Sequence, residues 1–249
     1  MVWGFYMDFG TGILRNMDPD YRIAIEWDLA TWSRALAYFE KTIKAQKPSL
    51  EKGLEIGARN GGLSWFFARN YGSQMCCTDS DIVGEPARML HEQTGLSSQI
   101  TYQQADATRL PFQDQTFDFA LFKSVLGAVG RNGRPELQQK ALEEIYRVLK
   151  PGGMLFFAEN LRGSVFHRLA RRFFVPWGNT WRYVTLQELQ DWLGIFERKE
   201  LHATGFFAAF VPGPEWLKNW AAKLDTLLFL LPESGRYVGY GWAIRKEKM

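Results

Sequence analysis

A chain of 249 residues, 46% hydrophobic and 23% charged, has the balance of one globular domain with or without an elaborated cap, not that of a disordered polymer. Net charge is only +3, which predicts no nucleic-acid partner, and no apolar run approaches the ~20 residues that span a bilayer. The two cysteines, Cys76 and Cys77, are sequence neighbours; they suit neither a structural disulfide nor a zinc cage, and a buried reduced pair fits a cytoplasmic location.

In chain order, residues 1–17 lack the basic start and apolar block of a secretory signal. The first fifty residues are aromatic and show no strand pattern. Asp28 or Thr31 is placed to cap a helix through Trp32, Leu36, Phe39 and Ile43, which Pro48 stops. Strands and helices then alternate: a strand over 50–57, a helix over 61–71, a strand over 75–78, a helix over 86–94 ended by Gly95, and strands over 100–105 and 117–122. Residues 136–149 place Leu137, Ala141, Leu142, Ile145 and Val148 on one helical face, and Pro151-Gly152-Gly153 turns the chain into a fifth strand over 154–158. A basic stretch, a helix near 186–193 and strand-like runs over 199–210 and 237–245 follow, the last two joined through an amphipathic segment over 216–231. This rhythm predicts an α/β, doubly wound (Rossmann-like), mostly parallel seven-stranded sheet with helices on both faces and an aromatic cap from the two ends of the chain. The expected division is a helical cap segment at 1–48 and a main domain at 49–249, elaborated for substrate at about 160–235. An aromatic share of 15%, with 10 Trp and 19 Phe, predicts aromatic-lined pockets or partner surfaces besides the core.

An open sheet of this kind binds ligands at the carboxyl ends of its strands, near the point where strand order reverses. The first such end reads Leu54-Glu55-Ile56-Gly57-Ala58-Arg59-Asn60-Gly61-Gly62. Gly57 and Gly61 allow a tight turn and close backbone approach, but the G-x-G-x-x-G of a nicotinamide site is absent. Glu55, two places before the first glycine, fits a ligand that carries an amino-acid moiety. Three further segments follow in order: Cys76-Cys77-Thr78-Asp79; Gln104-Ala105-Asp106-Ala107 with Leu110-Pro111-Phe112 and Phe117-Asp118; and Arg147-Val148-Leu149-Lys150-Pro151-Gly152-Gly153.

Together these segments resemble the class I S-adenosylmethionine-dependent methyltransferases, over residues 50–159. The resemblance implies S-adenosylmethionine as cofactor. It implies that Asp79, followed by Ser80, accepts the ribose hydroxyls, and that Asp106 takes the adenine amino group with Ala107 supplying a backbone contact. Glu55 would order the loop and reach the methionine amino group through water. One departure stands out: Arg59 occupies the position of the middle family glycine. Two readings are open, a side chain that crowds the cofactor and a guanidinium that, beside Gly57, Ala58 and Gly61, holds the methionine carboxylate.

Residues after strands four and five face the same crevice, which makes Lys123, Ser124, Glu159, Asn160 and Arg162 site candidates. Lys123 serves cofactor binding or catalysis, or simply snorkels to solvent. His167 is the histidine placed to act as a base for methyl transfer to oxygen, against a solvent-facing role beside Arg168, Arg171 and Arg172. Trp177, Trp181, Arg182 and Tyr183, with Asn179, form an aromatic and polar run suited to a sugar. These runs are similar to a group of bacterial methyltransferases found with polysaccharide-biosynthesis enzymes, which implies a sugar or glycan hydroxyl as acceptor. A quinone, lipid or small aromatic acceptor under an apolar lid is the alternative, with peripheral membrane contact, and a non-catalytic binding protein is a third reading. No acidic cluster has ligand spacing, so no metal is assigned.

Overall fold

The computed structural model describes residues 18–175, 180–211, 215–227 and 233–247. The expected alternation is present. Asp18 starts α1 (Pro19–Ile25) by accepting the Asp20 amide at 2.9 Å, with Pro19 in the first turn, where its missing N–H costs nothing. α2 (Leu29–Gln46) carries the expected periodicity through Trp32, Leu36, Phe39 and Ile43, all buried. Its start differs from expectation. Asp28 makes no capping bond and has φ +42°; its carboxylate instead accepts the Tyr237 hydroxyl at 2.5 Å, and Tyr237 in turn meets Thr31 Oγ1 at 2.6 Å.

Seven strands form one sheet among the described residues: β1 (Lys52–Ile56), β2 (Gln74–Asp79), β3 (Ile100–Gln104), β4 (Phe117–Lys123), β5 (Leu149–Asn160), β6 (Arg198–Thr204) and β7 (Val238–Ile244). Their order is β3-β2-β1-β4-β5-β7-β6. The first five run parallel, and β7 lies antiparallel between β5 and β6. The connecting helices are α3 (Gly62–Tyr71), α4 (Glu85–Gln93), α5 (Leu126–Val129), α6 (Pro135–Val148), α7 (Val165–Phe174), α8 (Leu186–Trp192) and α9 (Glu215–Leu227).

Side-chain alternation along the central strands divides the core in two. Phe119, Leu121 and Phe156 point to one face and pack with Trp32, Leu36, Phe39 and Phe67; Ala120, Phe122, Leu155 and Phe157 point to the other and meet Ala141, Leu142, Ile145 and Val148. The segment expected as an N-terminal cap therefore contributes α2 to the core of the sheet's first face. Two further differences have local causes. The strand expected over 199–210 stops at Thr204, because Gly205 turns left-handed (φ +79°) against the Tyr237 ring, where a Cβ would come within 2.5 Å; a 3₁₀ turn at Ala208–Phe210 follows. The basic stretch after β5 folds as α7, opened by a capping box in which Ser164 and His167 bond each other's backbone amides.

Candidate cofactor and acceptor site

Strand order reverses between β1 and β4, and the glycine loop leaves β1 at that point. Gly57 and Gly61 adopt φ +66° and +70°; a Cβ on Gly57 would meet Val125 Cγ2 at 2.5 Å. The loop is laced to β2: the Ala58 amide donates to Thr78 O at 2.8 Å and the Arg59 amide to Asp79 Oδ2 at 2.9 Å. Beneath it Glu55 is fully buried, and its carboxylate accepts the Ser64 amide at 2.8 Å and the Ser64 hydroxyl at 2.5 Å. Glu55 thus fixes the start of α3 from the strand below, an anion at a helix N-terminus. Burial pushes its carboxyl up to about 7 against those two bonds.

His91 is buried under the loop. Its Nε2 meets Gly61 O at 2.9 Å, its Nδ1 meets the Tyr102 hydroxyl at 2.8 Å, and a Cβ on Gly61 would lie 2.6 Å from its ring. It props the turn. Nothing in the local sequence signals this, because Gly61 and His91 meet only through the packing of α4 on α3.

The two acids sit as expected at successive strand ends. Asp79 is half-buried, oriented by the Arg59 amide, with Ser80 Oγ 3.3 Å from its Oδ1. Asp106 is exposed; its Oδ1 accepts the Thr108 amide and hydroxyl, both at 2.8 Å, and Ala107 is buried beside it. The Ala105 amide donates to Asp79 O at 2.8 Å, and Gln104 Nε2 donates to Ser80 O at 3.0 Å, so the loops after β2 and β3 are tied together. Ile82, after β2, is 75% exposed, an apolar side chain on this rim that the sequence reading did not single out. Two carboxylates at adjacent strand ends, an apolar rim and a left-handed glycine loop fit a nucleoside joined to a charged amino-acid tail.

The end of α1 closes this site from above. Glu26 has φ +72° and ψ −47°, and the Trp27 amide donates to Ile25 O at 2.9 Å: a γ-turn of the strained kind. Its carboxylate accepts Asn60 Nδ2 at 2.7 Å and lies 3.9 Å from both Lys123 Nζ and an Arg59 guanidinium nitrogen. Lys123 is neither a snorkelling lysine nor a free base. Its side chain is 9% exposed, and its ammonium donates to the carbonyls of Ala24 and Ile25 at 2.8 and 2.7 Å, with the Trp27 ring centre 4.1 Å away. Burial pulls its ammonium down to about 8, opposed by Glu26 and Glu55. Arg59 lies over the same ring at 5.1 Å. Its guanidinium is turned to Trp27 and Glu26.

The acceptor candidates are dispersed. Glu159 is fully buried and accepts the amides of Val125, Leu126 and Asn160 at 2.8, 2.7 and 2.8 Å; it starts α5. His167 is buried: its Nδ1 meets Ser164 Oγ at 2.8 Å, its Nε2 meets Phe206 O at 3.0 Å, and burial pulls it down to about 4. Both ring nitrogens are engaged, so it is neither the solvent-facing histidine nor the base. Arg182 donates to Gln138 Oε1 at 2.5 Å and to Glu188, tying α8 to α6. Trp181 packs its indole on Gly127, and its Nε1 is buried with no hydrogen-bond partner among the described residues; Tyr183 lies under the Arg171 guanidinium at 3.9 Å. Asn160 Nδ2 donates to Ser124 Oγ at 2.6 Å, at the ends of β5 and β4, and Arg162 is exposed. Trp177 and Asn179 lie outside the described residues.

Fold and loop together define a Rossmann-like α/β domain with a ligand crevice at the switch point of its sheet. Residues 54–157 match the profile of a family described as "Methyltransferase domain". The chain is 33% identical over 112 residues to ubiquinone/menaquinone biosynthesis C-methyltransferase UbiE of Methylococcus capsulatus, 44% of this chain and 43% of that one. It is 24% identical over 215 residues to the chloroplastic tocopherol O-methyltransferase of Arabidopsis thaliana, 76% of this chain and 59% of that one. The match thus spans about half the length of these curated relatives. Among solved structures, phosphoethanolamine N-methyltransferase 2 of Haemonchus contortus in complex with S-adenosyl-L-methionine superposes with TM-score 0.60 at 15% identity, over 98% of this chain and 61% of that one. The [4+2]-cyclase SpnF superposes with TM-score 0.60 at 19% identity, over 87% and 82%.

Proposed function

We infer that the chain is an S-adenosylmethionine-dependent methyltransferase acting on a small acceptor with an apolar body. The observation that carries the reading is the Asp79 carboxylate, held by the Arg59 amide beside the left-handed loop at the switch point of the sheet. In this reading S-adenosylmethionine supplies the electrophilic methyl group. Asp79 accepts ribose hydroxyls and Asp106 orients the adenine, while Glu55 holds the loop through Ser64 and the strap at Glu26 and Trp27 shields the site from water. The match over 54–157 supports the cofactor half.

The glycan acceptor rested on the finer resemblance and on aromatic rings beside Asn179 and Arg182. Arg182 is engaged by Gln138 and Glu188, which weakens that support. Relatives named for quinone and tocopherol methylation favour the apolar alternative. The likeness to a [4+2]-cyclase means that fold does not decide chemistry, so the test must see the methyl group. Purified protein is incubated with methyl-labelled S-adenosylmethionine and panels of quinol, phenolic and glycan acceptors. Label transfer to a quinol or phenol supports the reading. Transfer to a glycan alone overturns the acceptor, and failure to bind S-adenosylhomocysteine overturns the cofactor.

A further inference from the structure

The sequence of α7, Val165-Phe166-His167-Arg168-Leu169-Ala170-Arg171-Arg172-Phe173-Phe174, holds three arginines and no carboxylate. One side faces the protein. There His167 is buried, and Arg171 donates to Leu161 O at 2.7 Å and stacks on Tyr183. The other side is turned outward: Phe166, Leu169 and Phe173, at i, i+3 and i+7, form one stripe, with Phe166 67% and Phe173 71% exposed. Opposite the stripe, Phe206, Phe207 and Phe210 complete an open groove of about 490 Å³. Arg168 and Arg172, on the same helix, are exposed to one side of the stripe.

α9 packs on the same 3₁₀ turn and repeats the pattern. It exposes Leu217, Trp220 and Leu224, again at i, i+3 and i+7, with Lys223 exposed beside Trp220. Its Asp225 is buried, accepting the Phe206 and Phe207 amides at 2.9 and 2.8 Å, and so adds no negative charge to the surface. An apolar patch rimmed by cations is an interaction surface, because water-facing phenylalanines in a row gain nothing by exposure. A second copy would bring arginines against arginines.

We propose that this face docks on the headgroup–acyl boundary of an anionic bilayer. Phe166, Leu169, Phe173 and Trp220 enter the boundary, and Arg168, Arg172 and Lys223 meet the lipid phosphates; aromatic and aliphatic residues on one side of a basic helix are the signature of that geometry. Among the described residues no helix is long and apolar enough to cross a membrane, so the association is peripheral. It does not depend on the identity of the acceptor.

The test is flotation of the full chain with vesicles of phosphatidylcholine alone and of phosphatidylcholine with phosphatidylglycerol. The expected result is binding to the anionic vesicles, weakened by salt, with little binding to the neutral ones. Arg168→Gln/Arg172→Gln should lower the partition about 30-fold, the effect of losing two cations at an anionic surface. Phe166→Ser/Phe173→Ser should abolish it while S-adenosylhomocysteine binding and circular dichroism stay unchanged, which separates lost docking from lost folding. No flotation with anionic vesicles overturns the proposal. So does equal flotation of wild type and the Phe166→Ser/Phe173→Ser protein, or a dimer in solution that those two substitutions dissolve.

Discussion

Arg59 occupies a backbone conformation, φ +52°, that favours glycine, yet its side chain lies over Trp27 and 3.9 Å from Glu26. The guanidinium is 65% exposed, so the ion pair is screened and contributes little. Its amide is the part that matters, because it orients Asp79, and any residue but proline at 59 supplies that amide. Arg59→Gly is therefore expected to shift S-adenosylhomocysteine affinity by less than about 0.5 kcal/mol, the range of a surface substitution. Calorimetry decides: tighter binding would show that the side chain crowds the cofactor, and clearly weaker binding that it holds the methionine carboxylate. Glu26 is the opposite case. Its carboxylate serves Asn60, Arg59 and Lys123 together, and it bears the strained turn. Glu26→Ala keeps the strain and leaves a buried ammonium short of its counter-charge, a loss of ~1–3 kcal/mol of stability. Glu26→Gly removes the same carboxylate but relaxes the turn, so urea unfolding should find it less destabilised than the alanine variant. Equal losses would show that the turn stores no strain.

At the scale of elements, the junction of α7 with the turn after β6 depends on His167, which bonds Phe206 O and packs against Phe206, Phe210 and Tyr237. An unfolded histidine binds a proton near 6.5, and this one, folded, only near 4. The unfolded state takes up the proton first as pH falls. The stability contributed by the neutral ring is whole above about pH 6.5 and drains away towards pH 4. Glu55 and Glu159, both raised to about 7 by burial, act with the opposite sign from 4.5 upward, so the profile of the wild type alone mixes the terms. The difference between wild type and His167→Gln isolates it: unfolding free energies should converge as pH drops from 7 to 4. Parallel curves would place His167 in contact with water. This junction also shows why the acceptor half was poorly legible in the sequence. Ser164 with His167 is not the usual capping pair, and the partners of Glu159, His167 and Arg182 are distant in the chain. The Thr185 and Glu188 capping box was a readable signal, and it marks both the start of α8 and the carboxylate that engages Arg182.

For the molecule as a whole, the sheet and the cofactor crevice were legible because their signals are local: apolar runs of strand length, glycines at turns, and an acid at the end of β2 and again just after β3. What sequence could not show was closure. α1 carries no long periodic pattern, and the pairing of Glu26 with Lys123 exists only after α1 and α2 fold onto the first face of the sheet. That arrangement joins the crevice to both the N-terminal helices and the core, so cofactor binding should be felt as global stability. With S-adenosylhomocysteine at about a hundredfold its dissociation constant, linkage gives ~2.7 kcal/mol. For a domain of this size that is roughly 5–11 °C in Tm. Asp79→Ala removes a charged hydrogen-bond partner worth ~1–3 kcal/mol of binding. At the same ligand concentration its stabilisation falls to roughly 0.3–1.8 kcal/mol, and the Tm shift shrinks in proportion. Differential scanning calorimetry of both proteins, with and without ligand, makes the comparison, and the unliganded pair controls for any effect of Asp79 on folding through the Arg59 amide. A wild-type protein whose Tm ignores the ligand would remove the cofactor assignment, whereas an Asp79→Ala protein that keeps the full shift would leave the cofactor and move its ribose contact to another residue.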